Sequence, residues 1–190
     1  PVEYKVYYIK LREGTGNRPS EVDSTHIAYR GTNMTDIDFD YQPNPIWLRQ
    51  DEVISGWRQI MKKFKTGSAV DDPSNPGNVI FSDHGVGIMF IPSGLGYYDS
   101  PRTNLPAYSP MVFTFNLISV RYVDTDGDGI PSYLEDLNGN GDLYDDDTDG
   151  DGFPNFLDND DDGDGFLTLM EISDSFGNKY PFDLIPNCQG

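Results

Sequence analysis

Residues 124–171 hold the densest set of oxygen ligands in the chain. In order these are Asp124, Asp126, Asp128 and Glu135, then Asp136, Asn138, Asn140, Asp142 and Asp147, then Asp149, Asp151 and Asp158, and last Asp160, Asp162, Asp164 and Glu171. Carboxylates repel one another unless something offsets their charge, and the spacing here says what does. A hard cation of calcium's size takes six to eight oxygens. A twelve-residue loop supplies them from side chains at positions 1, 3, 5 and 12 and from the backbone carbonyl at position 7, with glycine at position 6 to make the turn. That pattern fits four times in tandem. The position-6 glycines are Gly129, Gly141, Gly152 and Gly165, and the position-7 carbonyls belong to Ile130, Asp142, Phe153 and Phe166. Calcium in a structural role is the expected cofactor, about three to five ions because carboxylates such as Asp147 and Asp158 can be shared. Magnesium, which keeps its waters and demands a strict octahedron, fits less well.

The loops begin at residues 124, 136, 147 and 160. So close a succession leaves no room for the helices that flank each loop of a paired EF-hand. Asp147 closes one loop and opens the next, and Asp-Gly-Ile-Pro (128–131) and Asp-Gly-Phe-Pro (151–154) recur. In these features the segment resembles thrombospondin type 3 repeats and related bacterial calcium repeats. Its expected core is small: Ile130, Phe153, Phe156, Leu157, Phe166 and Leu169. Without cations such a segment should remain largely unfolded. Sites of this kind suit millimolar calcium, so the expected location is periplasmic, cell-surface or extracellular, and a membrane anchor upstream of the sequence is compatible with it.

Of the formal net charge of −19, all but one unit lies in this region. From Asp124 onward the chain has 19 acidic residues against Lys179 alone, whereas the first 123 residues have 13 acids and 12 bases. Two modules are expected, residues 1–121 and residues 122–190. The charge argues against nucleic acid and anionic membrane surfaces as partners. No apolar run approaches the roughly 20 residues of a membrane-spanning helix, and no signal peptide opens the sequence. The single Cys188 excludes an internal disulfide and is read as an inert thiol.

Most of the large apolar residues lie in the first module, which must position any remaining chemistry. In residues 53–64, Ile54, Trp57, Met61 and Phe64 recur at helical spacing, and Gly67 stands where a helix would stop. Residues 3–11, 25–31, 86–92 and 111–120 are rich in β-branched and aromatic side chains and read as strands. The expected fold class is α+β, one short helix against an antiparallel sheet. Lys62, Lys63 and Lys65 form the basic end of the helix, and His26 and His84 are read as structural or solvated.

The order of motifs in residues 5–121 resembles the FKBP-type peptidyl-prolyl cis-trans isomerases. The matching pieces are Gly14-Thr15-Gly16, Tyr29-Arg30-Gly31, Phe39-Asp40, Glu52-Val53-Ile54-Ser55-Gly56-Trp57, Ile91-Pro92-Ser93-Gly94-Leu95-Gly96-Tyr97, Leu105-Pro106 and Met111-Val112-Phe113. The resemblance implies an FKBP-like half-barrel wrapped on the helix. It also implies a pocket lined by Tyr29, Phe39, Asp40, Val53, Ile54, Trp57, Tyr97 and Phe113, with Trp57 as its floor and Leu105 at its rim. The sequence departs from the family in three places. An aromatic that many members carry in the strand before the helix falls near Asn44, the glycine after the pocket tyrosine is Tyr98, and residues 70–85 insert a loop or hairpin.

The expected activity is prolyl isomerisation that assists the folding of exported proteins, with proline-containing segments as partners and no catalytic cofactor. A surface protein that binds such segments without turnover is the alternative. Regulation of the first module by calcium has only the nearness of Ser119 to Asp124 behind it.

Overall fold

Seven strands and one helix make up the first part of the chain: β1 (Tyr7–Arg12), β2 (Ser24–Thr32), β3 (Asp38–Arg49), α1 (Ser55–Met61), β4 (Ser68–Asp71), β5 (Val79–Ser82), β6 (Gly85–Ile91) and β7 (Met111–Arg121). The computed structural model describes residues 3–174 and 176–180; Cys188 lies outside them. The chain divides into two compact units, Pro1–Arg121 and Tyr122–Gly190.

In the first unit five strands form one antiparallel sheet in the order β1-β6-β7-β2-β3. Alternation along β7 decides which face is covered: Met111, Phe113, Phe115 and Leu117 are buried and Thr114 and Asn116 exposed. A row of large side chains on one face needs a partner layer, and α1 supplies it through Trp57, Ile60 and Met61. The resulting core also takes in Ile27, Phe64, Met89, Ile91 and Leu105. The close approach of α1 to the sheet depends on Gly56, where a Cβ would stand 2.5 Å from Ile91 Cγ2.

Several sequence expectations change. The helix is shorter than residues 53–64, because Ile54 is extended (φ −60°, ψ 144°) and caps it. At the other end the chain leaves through tight turns, Lys63 N to Ile60 O and Phe64 N to Met61 O, which swing Phe64 onto Phe115 with ring centres 4.9 Å apart. The first strand begins at Tyr7 rather than residue 3. Strand β3 was hidden by Pro43 and Pro45, which cannot donate to a ladder. It occupies a sheet edge, where prolines are tolerated, and its pairing with β2 slips between Ile27 and Tyr29. The 70–85 insertion is largely a hairpin, β4 paired with β5.

Among its described residues the second unit has one short helix, α2 (Thr168–Glu171), and three single turns of 3-10 helix. Its buried apolar residues are Leu143, Phe156 and Ile172. Of the six expected core residues only Phe156 is buried. Ile130 is partly covered, and Phe153, Leu157, Phe166 and Leu169 are exposed, Phe153 and Phe166 by 60% and 64%. At Phe153 and Phe166 the backbone N–H is tied to the aspartate two residues earlier, which leaves the side chain pointing out of the loop.

Candidate functional site

In the first unit a cavity of about 270 Å³ is lined by Tyr29, Asp40, Leu48, Glu52, Val53, Ile54, Trp57, Tyr97, Arg102 and Phe113. Each comes from an element whose local structure aims it. Tyr29 and Phe113 face each other across paired strands, since Gly31 pairs with Phe113 and Tyr29 with Phe115. Val53 and Ile54 reach the cavity because the helix starts after them. Trp57, 3% exposed, meets Phe113 at 4.9 Å and Tyr29 at 5.0 Å, both edge to face. Such an arrangement fixes aromatic walls at little rotamer freedom. The Trp57 Nε1–H has no partner among the described residues.

Polar groups converge on one side. The Tyr29 hydroxyl donates to Asp40 Oδ2 at 3.0 Å. Burial, and then the charge of Asp40, hold the Tyr29 phenol well above its usual range, so it remains a donor at any physiological pH. Tyr97 is raised for the same two reasons, with an opposing pull from Arg102. The Arg102 guanidinium lies over the Tyr97 ring, 4.5 Å from its centre.

Seven of the nine residues that the resemblance assigned to the pocket and its rim line this cavity. Phe39 stands behind it, edge-on to Tyr97 and Phe113 at 6.3 and 5.4 Å. Leu105 is not at a rim: it is 1% exposed and packed into the core, because the hydrogen-bonded turn from Arg102 to Leu105 folds it inward. Asn44 is exposed, and Leu48 forms part of the wall on this strand. Leu48, Glu52 and Arg102 were missed; Glu52 was quoted within the motif, but nothing local marked its direction. A larger concavity of about 370 Å³ lies over Ala28, Gly87 and Phe115; Tyr29 borders it too, but Trp57 and Asp40 do not line it.

The four acidic loops share one backbone trace. The position-1 carboxylates of Asp124, Asp136, Asp147 and Asp160 accept from the position-6 N–H of Gly129, Gly141, Gly152 and Gly165 at 3.2, 2.8, 3.1 and 3.1 Å. Those glycines have φ of 102°, 81°, 99° and 92°, the left-handed region that other residues enter at a cost. Position-3 side chains (Asp126, Asn138, Asp149, Asp162) accept from the N–H of position 5, and position-5 side chains (Asp128, Asn140, Asp151, Asp164) from that of position 7. Carboxylate oxygens of Asp124, Asp126 and Asp128 come within 4.8 Å of one another, as do those of Asp147, Asp149 and Asp151 and of Asp160, Asp162 and Asp164. The second loop differs: the amides of Asn138 and Asn140 donate to Asp145 and Asp146, which sequence spacing did not mark. Asp136, Asp142, Asp158 and Glu171 fall outside the acidic groups of that radius among the described residues.

These residues fit a divalent cation on one observation above all. Among the described residues, buried oxygens of Asp126, Asp128, Glu135, Asp136, Asp146, Asp160 and Asp161 have no hydrogen-bond partner. An ionised carboxylate out of water and unpaired is costly. Burial first, and then the neighbouring carboxylates, push Glu135 up to about 10 and Asp161 to about 7; burial is likewise the main cause at Asp126, raised to about 7. A bound cation would remove that penalty by pairing with the ionised groups.

Comparison with known proteins defines the class of the first unit: its fold is FKBP-like, and it is similar in sequence to FKBP-type peptidyl-prolyl cis-trans isomerases. The chain is 26% identical over 117 residues to the isomerase FkpA of Escherichia coli K12, an alignment that covers 60% of this chain and 37% of that protein. With FkpA of Buchnera aphidicola subsp. Acyrthosiphon pisum it shares 25% over 116 residues, 60% of this chain and 41% of that protein. The chain therefore spans well under half the length of these relatives. The crystal structure of E. coli FkpA superimposes with a TM-score of 0.50 at 26% identity, over 61% of this chain and 48% of that one. A Pseudomonas syringae peptidyl-prolyl isomerase aligns at 27% identity and a TM-score of 0.49, over 60% and 74%. A family model described as BamM C-terminal matches residues 125–190. Among the described residues no helix is long and apolar enough to cross a membrane.

Proposed function

We propose that the first unit catalyses cis-trans isomerisation of Xaa-Pro bonds in exported proteins, and that the second is an independently folded, calcium-stabilised module. The observation that carries the first part is the aromatic cavity floored by Trp57 with the Tyr29–Asp40 pair on its wall.

Amide resonance sets a barrier of roughly 18–20 kcal/mol to rotation about an Xaa-Pro bond. The twisted transition state has lost that resonance and is less polar than the planar amide. A site that removes water and seats the proline ring among Trp57, Tyr29, Phe113 and Val53 favours the twisted state over the planar one, which is catalysis by differential binding. The Ile54 N–H would hold a substrate carbonyl, and Asp40 with the Tyr97 hydroxyl would orient the twisting bond. No nucleophile is required.

Calcium, when bound, would supply charge neutralisation and oxygen coordination to the four loops. Asp124, Asp126 and Asp128 would hold it in the first, with counterparts in the other three. Loops of this type suit millimolar calcium, which supports an exported location.

A protease-free isomerisation assay on a Leu-Pro peptide tests the catalytic reading, with wild type compared against Tyr97→Phe and Asp40→Val in excess calcium. Turnover that falls in both variants supports it. Binding of the peptide without turnover would leave a module that recognises proline-containing segments.

A further inference from the structure

We propose that Asp128, Glu135 and Asp161 hold one calcium ion between the first and fourth acidic loops, so that a ligand from the far end of the repeat locks its beginning in place. The inference rests on the calcium reading of this unit and adds a site that loop spacing does not contain.

The three side chains are 1%, 2% and 8% exposed. One carboxylate oxygen from each lies within 4.8 Å of the other two. Both oxygens of Glu135, Oδ2 of Asp128 and Oδ1 of Asp161 lack any hydrogen-bond partner among the described residues. Lys179 approaches Gly129 and its charge partly offsets that of Asp128, but it makes no ion pair with the three within 4.0 Å among the described residues, and one lysine cannot balance three carboxylates. Three buried acids facing one another without a cation is an arrangement that folding would disfavour strongly, whereas oxygens alone suit a hard divalent ion.

Comparison of the loops shows that Asp161 is not demanded by its own turn. In three of them the N–H at position 2 donates to the side chain at position 9: Thr125 to Ser132 at 3.1 Å, Thr148 to Asn155 at 2.9 Å and Asp161 to Thr168 at 3.1 Å. Position 2 is threonine in the first two cases and aspartate only in the fourth loop. The same backbone slot thus carries an extra carboxylate where it meets Asp128 and Glu135. Asp128 belongs also to the group with Asp124 and Asp126, so it connects the mouth of its own loop to the buried site. Glu135, at position 12, groups with Asp161 rather than with Asp124.

The test is the number of calcium ions bound by the full chain at saturation, by equilibrium dialysis, together with hydrogen exchange of Ile130 and Phe166, for wild type, Asp161→Asn and Glu135→Gln. The expected result is one ion fewer in each variant, with calcium-dependent protection lost at both Ile130 and Phe166. An unchanged count, or protection lost only in the mutated loop, would overturn the shared site and leave the calcium reading standing. A wild-type chain that binds no calcium would overturn both. Asparagine and glutamine preserve side-chain shape, and if one variant fails to fold the other carries the same test.

Discussion

The hydroxyl of Tyr29 on β2 donates to Asp40 Oδ2 on β3 across 3.0 Å, and both side chains line the cavity above Trp57. The bond ties the orientation of a charged group to an aromatic wall. A bond of this kind to a charged acceptor contributes roughly 1.5–3 kcal/mol, less where solvent reaches it. Tyr29→Phe should therefore lower stability by about 1 kcal/mol and, by releasing Asp40 from its fixed orientation, lower kcat/KM on a Leu-Pro peptide by about tenfold. Steady-state kinetics and urea unfolding on the same sample check it.

Arg102 brings a positive charge to a cavity that also presents Asp40 and Glu52. A partly exposed charge pair is worth about 0.2–1 kcal/mol. Arg102→Ala should therefore reduce turnover of a Glu-Pro peptide about threefold relative to a Leu-Pro peptide. Parallel assays on the two peptides would show the change in ratio, and an equal loss on both would point to the packing of Arg102 on Tyr97 instead.

The closeness of helix and sheet at Gly56 gives a stability prediction. Gly56→Ala places a methyl against Ile91, and overpacking of this sort costs about 1–3 kcal/mol. Chemical denaturation should show a lower midpoint with an unchanged slope.

With divalent cations chelated, the second unit, largely unfolded at neutral pH, should gain structure as the pH falls. In the metal-free fold Glu135 is raised from 4.5 to about 10, by burial first and then by Asp126, Asp128, Asp161 and Asp124. A carboxyl raised in the folded state contributes stability in full below its unfolded value. That contribution is lost progressively as pH rises from there through the folded value. Calcium demands the deprotonated carboxylates, so the loaded module should show the opposite trend. Thermal unfolding from pH 4.5 to 8, in chelator and in calcium, reads both.

What the sequence disclosed was chemistry held within a few consecutive residues. The carboxylate spacing of the loops is local, and so is Val53-Ile54-Ser55-Gly56-Trp57, which sets two wall residues and the floor just before and inside one helix. What it hid depends on pairing and on loops. Pro43 and Pro45 masked β3, and the register slip beside Tyr29 gives the wall Leu48 while Asn44 stays exposed. Arg102 and Leu105 take their directions from a turn with no strong local signal. Tyr98, in a position where the family has glycine, adopts φ 49° all the same and rests against Tyr108 with ring centres 5.1 Å apart. Asp161 could be placed beside Glu135 only once the fourth loop was folded against the first.

The most direct test of the isomerase is exchange spectroscopy by NMR on a proline peptide whose cis and trans signals are resolved, with the full chain present at a small fraction of the peptide concentration. Uncatalysed exchange takes tens to hundreds of seconds. Cross-peaks between the two isomers at mixing times below one second, abolished by Asp40→Val in protein that remains folded, are the predicted result. Their absence with folded wild-type protein would contradict catalysis at the Trp57 cavity.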